Sequence, residues 1–253
     1  MWIDTHCHLP SLEYGADAAI SDARVAGVEF MVCVGTDVSS SRDAIALADR
    51  EPDIAATAGL HPHDAKDLAA AWPQIETWAR KGRVVALGET GLDFYYDYSP
   101  RGEQMRAFRM HLELAREIDL PVVVHVRDAW EACFALFDEV GAPSGTILHC
   151  FTGGVAELER ALEHGCLVSF SGIITFKNAV ELHAAARRCP EDSMLIETDA
   201  PYLAPVPHRG KENRPAFVSD VGRALAHLRD EAPEAVARST AANARRVFGL
   251  AST

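Results

Sequence analysis

His6 and His8 are separated by one residue, and in an extended chain residues i and i+2 point to the same face, so both imidazoles can reach one ion. Alone, such a pair is also read as an N-terminal strand that happens to carry polar residues. Further donors recur along the chain: His61 and His63 in GLHPH, Glu89 closing VVALGE, His125 closing PVVVH, His149 closing TILH, and Asp199 in ETDAP. Taken singly, His125 and His149 read as core histidines bonded to a carbonyl, and Glu89 as half of a salt bridge. Taken together, imidazoles and carboxylates at the ends of apolar runs are the donor set of a hydrolytic metal centre. A buried carboxylate needs a cation or a proton. Glu89, with two oxygens, is the candidate bridge between two divalent ions about 3.5–4 Å apart. On this reading His6, His8 and Asp199 hold the first ion, and His125 and His149 hold the second. Asp199 orients the attacking water and takes its proton. Imidazole and carboxylate suit Zn²⁺, Mn²⁺, Co²⁺ or Fe²⁺, and weaker sites of this kind work with Mg²⁺.

These residues must be brought together by elements far apart in sequence. Short apolar runs occur at 1–4, 28–34, 54–59, 83–88, 121–126, 146–149, 166–171 and 193–197. Segments with apolar spacing near 3.6 follow at 16–26, 40–50, 68–81, 101–118, 128–140, 154–164, 177–188 and 216–229, with a further helix near 233–247. VVALG and VVVHV lack strict alternation, as strands buried on both faces should. Eight strand–helix units in 253 residues predict an α/β fold closed as a (β/α)8 TIM barrel, one domain over 1–253, with its metal site at the C-terminal face of the strands. A doubly wound open sheet is the competitor, and no GxGxxG follows the first strand to support it.

Composition narrows the class. Hydrophobic residues make up 48% and charged residues 24%, as in ordinary globular proteins. No apolar stretch approaches the roughly 18 residues of a membrane span, and MWIDTHCHLP has neither a basic nor an apolar leader region. The six cysteines form no CxxC pair, which argues against a disulfide-stapled secreted domain and for the cytoplasm. A net charge of −13 argues against broad electrostatic binding to nucleic acid or to an anionic membrane. It does not exclude a phosphate-bearing substrate, because bound cations invert the local field.

The blocks DTHCHL (4–9), GLHPH (59–63), GETGLDFY (88–95), HVRDA (125–129), HCFTGG (149–154), SGIITFKN (171–178), ETDAPYL (197–203) and RGKENRPAFV (209–218) resemble, in order, those of the TatD family of metal-dependent deoxyribonucleases. The resemblance implies an amidohydrolase-superfamily barrel, nuclease activity supported by divalent metal, and two-metal ligation by the same six residues. None of the six is substituted, which argues against a binding protein on an inherited barrel.

Three further residues are candidate substrate contacts: Arg127 through its bidentate fork, His63, and Lys177. Arg127 also reads as a partner of Asp128. Gly153 and Gly154 offer backbone N–H groups to an anion. Tyr95, Tyr96 and Tyr98 are candidates for stacking a base. The expected activity is hydrolysis of DNA phosphodiester bonds at single-stranded or nicked ends. A lactonase or aminoacyl-ester deacylase of the same superfamily is the alternative, because such enzymes share the ligand set.

Overall fold

The computed structural model describes residues 1–250. Its strands are β1 (Trp2–Cys7), β2 (Val28–Cys33), β3 (Ile54–Ala58), β4 (Ala86–Asp93), β5 (Val122–Arg127), β6 (Ile147–Leu148), β7 (Leu167–Phe170) and β8 (Met194–Ile196). The helices are α1 (Ala16–Val25), α2 (Val38–Arg50), α3 (Leu68–Arg80), α4 (Arg101–Ile118), α5 (Trp130–Val140), α6 (Val155–Glu163), α7 (Val180–Arg188), α8 (Val218–Arg229) and α9 (Pro233–Phe248). The strands form one sheet in the order β1 to β8. Strictly sequential order with a helix after each strand is a (β/α)8 barrel, and the reversal of order that marks a doubly wound sheet is absent among the described strands. Among the described residues no helix is long and apolar enough to cross a membrane.

Two compact units are distinguished along the chain. The first comprises residues 1–33, 150–159 and 167 onward. Within it β1 pairs in parallel with β2, and β7 with β8. The edge beyond β8 meets β1 through a parallel bridge between Cys7 and Ala200 and through the Asp199 N–H, which donates to the His6 carbonyl at 2.9 Å. The aromatic rings of Phe151 and Phe170 pack edge to face, and Trp2 lies so close over Gly222 of α8 that any Cβ there would strike the indole.

The second unit holds residues 34–149 and 160–166. Here β3, β4, β5 and β6 pair in parallel. Phe108 of α4 and Phe134 and Phe137 of α5 are fully buried, each such side chain contributing about 1.5–3 kcal/mol of hydrophobic stabilisation. Local chemistry sets the helix ends. Asp37 accepts from the Ser40 N–H at 2.7 Å while Ser40 Oγ accepts from the Asp37 N–H at 3.0 Å, a reciprocal cap that starts α2.

Candidate metal centre

In the first unit the donors come from β1 (His6), from the residue just after it (His8) and from the chain just beyond β8 (Asp199). His6 and His8 are buried, and their Nε2 atoms stand 3.3 Å apart. Asp199 Oδ1 lies 3.7 Å from His6 Nε2 and 3.4 Å from His8 Nε2. Two neutral imidazole nitrogens at that separation can share only one proton. The remaining lone pair and the carboxylate face the same point, which is the electrostatic signature of a cation site. Asp199 adopts a left-handed backbone with φ of 57°, a conformation that Asp tolerates better than most residues.

That corner is held from beneath by Asp4. Its carboxyl accepts from the Thr198 N–H at 2.9 Å, the Thr198 hydroxyl at 2.6 Å and the His6 N–H at 3.3 Å. Burial pushes the Asp4 carboxyl up to about 8 in spite of those bonds. The Asn213 amide donates to the Thr198 and Tyr202 carbonyls at 2.7 and 2.6 Å, closing the turn that carries Asp199.

In the second unit the donors surround Glu89. Three imidazoles converge on its Oε1: His149 Nε2 at 2.8 Å, His125 Nδ1 at 3.1 Å and His61 Nε2 at 3.3 Å. His125 Nδ1 and His149 Nε2 are themselves 3.3 Å apart. Burial alone would raise the Glu89 carboxyl. The neighbouring His149 and His61 and hydrogen bonds from His125 and His149 outweigh it and hold the group well below the usual carboxylate range. Burial brings His61 down to about 4, so its imidazole is neutral at pH 7 and has a lone pair to give.

Glu89 does not end its strand. The expected strand at 83–88 begins instead at Ala86 and continues through the buried ETGLD to Asp93, in register with Val124, His125, Val126 and Arg127 of β5. Small and polar residues there are buried by pairing rather than by their own hydrophobicity. Gly91 shows why: its φ is 135°, and a Cβ would collide with the His125 carbonyl. Gly91→Ala is therefore expected to cost about 2 kcal/mol or more, from a backbone region all but closed to other residues. Thermal melting should show a fall of about 2–4 °C per kcal/mol in a chain of this size; an unchanged melting temperature would refute this account of the β4–β5 contact.

The extension places Asp93 among the histidines. Its Oδ2 lies 2.9 Å from His63 Nε2 and 3.4 Å from His125 Nε2. Burial opposes ionisation, but hydrogen bonds from His125, the Tyr96 N–H and His63 prevail and hold the Asp93 carboxyl below the usual range. Neither Asp93 nor His61 is among the six ligands expected from the sequence. The paired histidines of GLHPH were the available signal for His61; Asp93 had none once β4 was ended early.

Of the proposed substrate contacts, His63 and Arg127 belong to the second unit and Lys177 to the first. His63 turns its Nε2 to Asp93, so it braces the cluster around Glu89. Arg127 is exposed at the end of β5 and stacks on Tyr95 and Tyr96, with guanidinium-to-centroid distances of 4.2 and 4.6 Å, rather than pairing with Asp128. Lys177 is exposed in the first unit, in the turn before α7. The Gly154 N–H donates to Glu157 Oε2 at 2.8 Å, which makes it a start to α6 rather than an open anion cradle.

A parallel barrel whose strands and the turns after them carry imidazole–carboxylate clusters has the features of the metal-dependent hydrolases. The family model for TatD related DNase matches residues 3–249, and the chain belongs to that family. It is 40% identical to the metal-dependent hydrolase YcfH of Escherichia coli K12, over 98% of this chain and 96% of that protein. It is 36% identical to a Salmonella typhimurium protein named 3'-5' ssDNA/RNA exonuclease TatD, over 97% and 98% of the two chains. The crystal structure of YjjV, a TatD homolog from Escherichia coli K12, superposes with a TM-score of 0.93 at 28% identity, over 99% of this chain and 98% of that one.

Proposed function

We propose that the protein is a deoxyribonuclease that removes nucleotides from single-stranded or nicked DNA ends, using two divalent ions held by His6, His8, Glu89, His125, His149 and Asp199. The observation that carries the metal assignment is the convergence of three imidazole nitrogens on Glu89 Oε1 within 3.3 Å. The relative named as a single-stranded DNA and RNA exonuclease supports a polynucleotide substrate. When bound, the ions supply Lewis acidity toward the phosphate and toward the attacking water. Asp199 holds that water through a carboxylate oxygen and accepts its proton. Asp93 fixes the rings of His63 and His125, so the lone pairs around Glu89 keep their direction. Arg127 and Lys177 meet neighbouring phosphates.

The test sets end-labelled single-stranded DNA beside a panel of lactones and aminoacyl esters, with protein reconstituted in turn with Mn²⁺, Co²⁺, Zn²⁺ and Mg²⁺. Stepwise shortening of the DNA is expected. Turnover of an ester with no polynucleotide cleaved would transfer the protein to the ester hydrolases. With Arg127 and Lys177 as its phosphate contacts, the reading has two or three phosphates neutralised. Binding of single-stranded DNA should then fall with salt at a log–log slope of about −1.4 to −2.1. A titration giving a slope near zero would remove Arg127 and Lys177 from phosphate contact.

A further inference from the structure

Beside the Glu89 cluster lies a group of aromatic side chains that the chemistry above does not use. Tyr95 and Tyr98 are each 59% exposed and Tyr96 is 43% exposed, an unusual display of large rings in one turn. They are not disordered in orientation with respect to one another. Tyr96 and Tyr98 stack with centroids 5.2 Å apart and planes 15° from parallel. The Arg127 guanidinium covers Tyr95 and Tyr96. The His63 ring stands edge-on to Tyr98 at 4.7 Å and to Tyr96 at 5.5 Å.

The turn is built to stay in this shape. Asp93 Oδ1 accepts from the N–H groups of both Tyr95 and Tyr96 at 3.0 Å. Gln104 of α4 donates to the Asp93 carbonyl at 3.1 Å and the Ser99 carbonyl at 2.9 Å, and accepts from the Asp93 N–H at 2.8 Å. The Ser99 hydroxyl donates to the His63 carbonyl at 2.7 Å. Because the other Asp93 oxygen reaches His63 and His125, one buried carboxylate ties the tyrosines to the residues around Glu89. Among the described residues no carboxylate pairs with Arg127, so its charge is available to a ligand.

We propose that Tyr96 and Tyr98, with Arg127 beside them, form a stacking subsite for a nucleobase next to the scissile phosphate, a contact that rests on the nuclease reading and extends it. Exposed rings already arranged in parallel lose little entropy on receiving another flat group. The phosphodiester carried on the sugar of the same nucleotide brings a negative charge to meet the Arg127 guanidinium. Stacking takes any base and is indifferent to the sugar 2′ position, so DNA and RNA strands are both admitted. It also requires a base freed from its partner, which excludes the interior of a duplex.

The experiment compares two oligothymidylates of equal length, one lacking the bases of its two cleaved terminal nucleotides. Metal-loaded wild-type protein is expected to favour the base-bearing oligomer about 5- to 150-fold in kcat/KM, mostly through KM, the range set by measured base–aromatic stacking. Tyr98→Ala should bring that ratio toward one, and Tyr98→Phe should keep it because the ring remains. A wild-type ratio near one, or a ratio that Tyr98→Ala leaves unchanged, overturns the stacking subsite while the nuclease reading stands. Cleavage of neither oligomer by the metal-loaded wild type overturns the nuclease reading and this proposal with it.

Discussion

Glu89→Gln is expected to strip the protein of bound metal and of turnover together. The carboxylate is buried, and Oε1 faces three imidazole nitrogens between 2.8 and 3.3 Å away. The amide is nearly the same size, so packing in β4 should survive. Its chemistry is not the same. It carries no negative charge, and one of its two terminal atoms is an NH₂ group that repels a cation. If Glu89 bridges two ions as proposed, both would lose an anionic ligand at once. Losing only an outer partner of a metal site typically costs about 10–100-fold in affinity or activity, and losing the bridge should exceed that. Elemental analysis and kcat measured on one preparation give the answer. A variant that retains two ions per chain and near-normal turnover would place the bridge elsewhere. A variant whose melting temperature falls while turnover per folded molecule survives would make Glu89 a structural carboxylate.

Asp199→Asn should separate proton transfer from metal retention. Asn occupies the left-handed backbone region nearly as readily as Asp, and the hydrogen bond from residue 199 to the His6 carbonyl uses only its N–H. The corner held by Asp4, Thr198 and Asn213 is therefore expected to keep its shape. An amide oxygen can still take a place near His6 and His8. It cannot accept a proton from the attacking water. Loss of a general base typically lowers the rate about 10²–10⁴-fold, or roughly 3–5 kcal/mol at about 1.4 kcal/mol per tenfold. We expect kcat to fall by that amount, with metal content and KM changed far less. If metal occupancy falls in step with activity and added metal restores both, Asp199 is a ligand only. If the melting temperature falls instead, its role is structural. Either result removes it from proton transfer.

The alternation of strands and helices was readable from the chain, because a strand buried on both faces and an amphipathic helix leave different periods in it. The helix at 101–118 and the strand start at Val28 coincide with the expected elements. His6 and His8 were legible from their spacing of two, although β1 ends at Cys7 and only His6 lies in the strand. The family blocks carried the barrel and the metal-dependent hydrolase class. What could not be read is what long-range pairing decides. β4 continues through polar residues to Asp93 because β5 buries them, and no local hydrophobic pattern announces that. Once Asp93 is inside, it gathers His63, His125 and the Tyr95–Tyr96 backbone, partners up to about thirty residues away. His61 joins Glu89 only because β3 and β4 are neighbours. Arg127, which the sequence offered equally to Asp128 or to phosphate, is turned by that same pairing onto two tyrosine rings. The residue types and their spacing determined which chemistry was available; the register between strands decided which side chains meet to perform it, since hydrogen-bonded pairing is set by contacts the linear order does not contain.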